Sequence, residues 1–199
     1  MRVSEFISKI LHPIFIPSIT ILIIAKEFSN IIVLQNQIPI IIITTVVFTF
    51  LFPLLSIIYL LFTKKIQNLE MNDQEDRFIP LLITICWMLV GFYIIRDILE
   101  FNPVIKKIYL GGIYTLFLAM IITRKWKISL HMLAIGGASG AFMILQLLYG
   151  GVFYVFMFSL LISGLIGYSR LDQDAHTSPQ IYAGFLLGLI IISLSIIYL

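Results

Sequence analysis

The sequence predicts an all-α polytopic membrane protein, a helix bundle of six to seven transmembrane helices, with residues 1–199 forming a single integral membrane domain. Three observations carry that prediction. The chain is 60% hydrophobic and 12% charged, whereas a soluble domain carries about 25% charged residues. Its mean hydropathy is +1.08. Apolar runs recur from one end to the other, at about the 20 residues that a helix needs to cross a bilayer. No internal repeat, low-complexity tract or long linker marks off a second domain.

Seven apolar segments follow in order: 10–25, 38–63, 79–99, 104–122, 128–149, 151–168 and 180–199. The first follows Arg2 and Lys9, as in a signal peptide. It ends in Ala25-Lys26-Glu27-Phe28 with no small-residue cleavage site, so it is expected to be a retained helix kinked by Pro13 and Pro17. The first two segments are rich in Ile, Leu and Phe and are expected to wrap the bundle towards lipid. Small residues concentrate in the last three segments: Gly136, Gly137, Ala138, Ser139, Gly140, Gly164, Gly167, Gly184 and Gly188. Close packing of helices in lipid relies on such residues, so these three segments are expected to form the tight centre.

If all seven segments cross, the N-terminus, 64–78, 123–127 and 169–179 share one side. The other side holds 26–37, 96–103, the Gly150-Gly151 turn and the C-terminus. The net charge of +3 does not argue for nucleic acid, because the Lys and Arg residues are scattered between spans, as membrane topology explains. The one cysteine, Cys86, lies in an apolar run and excludes a disulfide framework or a cysteine metal cluster.

Three polar clusters fall on the same side. The strongest is Ser169 to Gly184, which holds Arg170, Asp172, Asp174 and His176 between two apolar runs. Thr177 or Ser178 followed by Pro179 predicts a helix start, so His176 sits where backbone N–H groups and the helix dipole favour an anion. Arg170 adds a planar fork suited to phosphate oxygens. The second cluster is Lys127-Ile128-Ser129-Leu130-His131, where a histidine at a span end is placed to move a proton. The third runs from Lys64-Lys65 through Asn68, Glu70, Asn72, Asp73, Glu75 and Asp76 to Arg77, with Pro80 just inside the next span. The plainer readings are a solvated loop for the first and third clusters and a headgroup-level anchor for the second. Arg96 and Glu100 read as an ion pair at a helix end on the opposite side, and His12 as an interfacial anchor.

The spacing Ser169-Arg170, five residues, His176 resembles the third signature of the type 2 phosphatidic acid phosphatase superfamily, the membrane lipid phosphate phosphatases and their acid phosphatase relatives. Ser129-Leu130-His131 resembles the second, Pro-Ser-Gly-His, with serine and histidine in step. Lys64 or Lys65 with Arg77 and Pro80 resembles the first, although the lysine spacing is longer and the proline falls two residues late.

The resemblance implies metal-independent, cofactor-free hydrolysis of a lipid phosphomonoester or diphosphate in the bilayer. His176 would be the nucleophile forming a phosphohistidine, and His131 the general acid. Arg170, Arg77, Lys127, Ser129 and Ser169 would hold the phosphoryl oxygens. Gln180 stands where the family has the aspartate that orients the nucleophile; its carbonyl can accept from the imidazole, and Asp172 or Asp174 is a substitute on the same loop. The expected partner is a membrane lipid phosphate, and the expected location a prokaryotic inner membrane.

Two other classes stay open: an inactive lipid-phosphate binder on the same fold, motivated by Gln180, and a small transporter, which the absence of paired interrupted repeats disfavours. The motif side carries nine Lys and Arg residues and the other four, which by the positive-inside rule would make it cytoplasmic. Setting aside Arg77, Lys127 and Arg170 leaves six against four, and the side stays unassigned.

Overall fold

A computed structural model describes residues 3–29, 31–67 and 74–199. Among them, six helices are long and apolar enough to cross a membrane: Gln35–Phe62, Phe78–Glu100, Pro103–Thr123, Leu130–Tyr149, Phe153–Asp172 and Ser178–Tyr198. We label α1 Val3–Ile10 and α2 Ile16–Glu27. Within the first span lie α3 Ile38–Val46 and α4 Phe52–Phe62. The other five spans are α5 to α9 in chain order.

The first apolar run is not one of these spans. Pro13 has no N–H to continue a helical ladder, and the chain turns between α1 and α2. At 12 residues, α2 is shorter than a span, yet the α1–α2 unit runs between the two ends of the bundle. His12 packs on His131 at the start of α7, with ring centroids 5.4 Å apart. Phe28 packs on Tyr149 at the end of α7, at 5.9 Å. The two sets of polar segments therefore gather at opposite ends, as the sequence predicts. The outward position expected for the first run holds on one face only: Ile19 and Leu22 are exposed, but Ile24 and Ala25 are fully buried, and α2 packs against α3 and α7. The second segment likewise exposes Ile43, Leu55, Tyr59 and Phe62 while burying Ile41, Ile57 and Leu60. A π-helical turn at Val47–Leu51 divides it. Pro53 causes this locally, since it cannot donate to the carbonyl one turn back.

The tight centre is a pair, α7 and α9, rather than three helices. Gly136 and Gly140 face the backbone of Phe185 and Leu189, and Gly184 and Gly188 face the backbone of Ser129 and Leu133. A β-carbon on Gly184 would lie 2.6 Å from the Ser129 carbonyl oxygen, so any larger residue would force the helices apart. In contrast, Gly164 on α8 has nothing within 4 Å of such a carbon. The close α7–α9 contact also draws their first turns together, where the Ser129 N–H donates to the Gln180 carbonyl at 3.3 Å.

Candidate functional site

The polar end is built from four short stretches, each fixed by its own local chemistry. Ser129 caps α7, its Oγ accepting from the Met132 N–H at 3.4 Å, and this sets His131 in the first turn. Thr177 caps α9 in a capping box: its side chain accepts from the backbone N–H of Gln180, whose Oε1 accepts from the Thr177 N–H at 3.2 Å. α8 ends at a left-handed residue, Asp174 with φ 50°, a conformation that Asp tolerates better than most residues. That turn carries the chain from Arg170 in the last turn of α8 to His176 just before α9. Arg77 sits in a 3-10 turn, Glu75–Arg77, directly ahead of α5.

These stretches bring the predicted groups together. Arg77, Arg170, His131, His176, Ser129 and Ser169 are all buried, and Lys127 is half-buried. His176 Nδ1 lies 3.0 Å from Gln180 Oε1. Because that oxygen also accepts from the Thr177 N–H, it is the acceptor and Nδ1 carries the proton. The lone pair is then on Nε2. Burial draws the His176 pKa down to about 4; the charges of Arg77, Arg170 and Lys127 act in the same direction, and the Gln180 hydrogen bond opposes them. The imidazole is neutral at pH 7. Burial, and after it the charge of Arg170, likewise lowers Arg77 to about 10, so Arg77 keeps its charge.

The geometry also gives several of these groups structural partners. Ser169 Oγ donates to the Ser4 carbonyl at 2.6 Å, which ties α8 to α1. Ser129 is a helix cap. Asp172 and Asp174 are exposed in the turn, and Gln180 alone makes the contact to His176 for which they were substitutes. Arg77 donates through Nη1 to the Ile128 carbonyl at 2.8 Å and so braces the segment that carries Lys127 and His131. Lys64 and Lys65 are exposed. Asn68, Glu70, Asn72 and Asp73 lie outside the described residues. At the opposite end, Arg96 pairs with Asp97 at 3.4 Å and Glu100 with Lys106, not with each other.

Four contributors escape the sequence reading. α1 turns Ser4 and Ser8 inward and exposes Val3, Phe6 and Ile10, so its polar face covers the site and its apolar face points outward. Arg170 Nη1 donates to Ser8 Oγ at 2.6 Å, and His131 Nε2 lies 3.2 Å from the Ser8 carbonyl, which can only accept. His131 therefore carries its proton on Nε2. Gln173 donates to the Ser4 carbonyl at 2.9 Å. His12 packs edge-on to His131. The available signal was the four-residue spacing of Ser4 and Ser8, which places both on one helix face with apolar residues opposite.

Fold and site together define a class: a multi-pass helical membrane protein with two histidines, two arginines and a lysine gathered at one end of the bundle. Compared with protein-family models, with curated proteins and with solved structures, the chain matches none.

Proposed function

We propose that the protein hydrolyses a lipid phosphomonoester or diphosphate through a phosphohistidine intermediate. The observation that carries this reading is His176: a neutral imidazole with its Nδ1 proton held by Gln180, its Nε2 lone pair available, and three cations bearing on it. Nε2 attacks phosphorus and the bond from phosphorus to the lipid oxygen breaks. His131, protonated to the imidazolium once the anionic headgroup has entered, gives its Nε2 proton to the departing oxygen and is left neutral. Arg77, Arg170 and Lys127 balance the charge spread over the phosphoryl oxygens. Water then attacks the phosphohistidine, His131 takes a proton from it, and phosphate leaves with His176 restored.

Ser8 engages the Arg170 and His131 groups that this chemistry needs. Substrate entry therefore requires α1 to yield those two hydrogen bonds. A site at a span end suits a lipid whose headgroup lies at the interface while its tail stays in the bilayer, and a prokaryotic inner membrane is the location that goes with this reading. The inactive-binder reading draws on Gln180, which cannot stabilise an imidazolium as a carboxylate does.

The deciding experiment is phosphate release from a panel of lipid phosphates in detergent with EDTA present, parent against His176→Ala. Activity that survives EDTA and falls to background in the variant supports the reading. Activity retained by His176→Ala overturns it. A folded parent that binds lipid phosphates and releases nothing makes the protein a binder.

A further inference from the structure

Beneath the polar end, α2, α3, α5, α6 and α7, with Ile57 of α4 and Ile192 of α9, line a partly open cavity of about 180 Å³. Its upper wall is His12 and Leu130, neighbours of His131, and it follows α7 down to Ala141. At 1.5 Å per helical residue that is about 16 Å. An engineered apolar cavity of about 150 Å³ holds one benzene ring, so a similar volume drawn out over this length is one chain wide.

The wall is more apolar than its sequence. Thr20, Thr49, Thr84 and Thr115 all line it, and each hydroxyl turns back on its own helix, to the carbonyls of Ile16, Thr45, Pro80 and Gly111 at 2.7–2.8 Å. What they present inward is methyl groups. Thr45 and Tyr109 differ: both line the cavity, and both hydroxyls are buried and hydrogen-bonded to none of the described residues. Buried polar atoms of that kind are uncommon in a finished core. A hydrocarbon occupant cannot pair them, and it is the apolar lining and the length of the cavity that set what fits there.

We propose that the cavity is a slot for one hydrocarbon chain of the lipid whose phosphate binds among Arg170, His131 and His176. The head end of this proposal rests on the lipid-phosphate reading above. His12 joins the two parts, since its ring packs on His131 and also walls the slot. A chain leaving the bilayer for the slot gains little hydrophobic free energy, because lipid tails are as apolar as the wall. The slot therefore acts by position: it aligns the chain with the reacting phosphorus and discriminates against tails too broad to enter.

The test uses decyl phosphate carrying a diazirine at its chain end, photolysed with the full chain in phosphatidylcholine nanodiscs and mapped by mass spectrometry. Labels on slot residues such as Tyr109, Thr115 and Ile192 support the proposal. Gly112→Leu should block the lower slot, because a β-carbon there meets only the end of the Met88 side chain, at 3.3 Å. Deep labelling should fall by about tenfold, the size of a typical overpacking cost. Gly112→Ala and Ala134→Phe are the companion variants should Gly112→Leu not fold. Labels confined to outward residues such as Tyr93, Leu147 and Leu161 would overturn the slot, as would deep labelling unchanged in a folded blocked variant. Phosphate release from the same probe is scored separately. Internal labelling without release keeps the slot and removes the phosphatase, and release with only external labelling does the reverse.

Discussion

The two ends of the bundle contain the same kinds of residue and treat them oppositely. At the end near Asn102, Arg96 and Asp97 pair in the open, Lys106 reaches Glu100 at the surface, and Lys107 caps the Ile196 carbonyl at 3.0 Å. At the other end Arg77 and Arg170 are buried with two histidines, and their hydrogen bonds run to Ile128, Ser8 and Gln173. Exposed ion pairs are worth little and constrain little. Burying two arginines beside imidazoles costs desolvation that a helix terminus does not need. The difference separates charge that satisfies topology from charge that the proposed function puts to use.

The largest expected contrast follows from removing one cation at each end. Arg170→Ala should lower kcat by about 10²–10³, as loss of one donor to developing charge does elsewhere. Lysine is not a neutral replacement at a site that uses the fork, so Arg170→Lys should recover only part of the loss. Lys106→Ala should leave kcat unchanged. Steady-state phosphate release with each variant checks this, and equal losses at both ends would erase the distinction. Because Arg170 also holds Ser8, folding of the variant is read separately by its melting temperature.

Much of this contrast was legible in the sequence, for a topological reason. Each crossing reverses the side, so run lengths alone put Arg77, Lys127, Arg170 and the two histidines at one end. Thr177 and Pro179 also announced the start of α9, and the capping box bears that out. What the sequence hid was which apolar face points inward. In lipid, a buried isoleucine and a lipid-facing one have the same environment preference, so the inward and outward faces of α2 and α4 read alike. Small residues marked α7 and α9 correctly and α8 wrongly, because a glycine signals close approach only where a partner backbone arrives. The spacing of Ser4 and Ser8 showed a shared helix face but not what it faces, because their partners lie more than 120 positions away.

A finer test compares His176 with itself under a different orienting group. Gln180→Glu keeps a residue type that suits the capping box and puts a carboxylate beside Nδ1. It should raise the His176 pKa from about 4. The acid limb of single-turnover phosphoryl transfer should then move to higher pH than in the parent. Stability should change in step. The ordinary imidazole value is about 6.5, so in the parent the unfolded chain binds a proton below that pH which the folded chain refuses. Stability is then full above about 6.5 and lost as pH falls towards 4. Melting temperatures at pH 7 and pH 5 should differ more for the parent than for Gln180→Glu. An identical drop in both would mean that His176 is not the group that titrates.

The smallest expected effect sharpens the comparison from the quiet end. Glu100→Ala removes the partner of Lys106 at a position where both side chains reach solvent. Exposed pairs contribute about 0–1 kcal/mol and are screened by salt. The melting temperature should therefore move little at low salt and not at all at high salt, with phosphate release unchanged. His176 is shifted by burial first, then by its Gln180 hydrogen bond and only after that by neighbouring charges, and Arg77 by burial first and the charge of Arg170 second; buried charges are screened much less. The acid limb set by His176 should therefore hold its position across the same salt range. If salt moved it as easily as it abolishes the Glu100 effect, the polar end would be an open surface, and the reason for assigning chemistry to it would be gone.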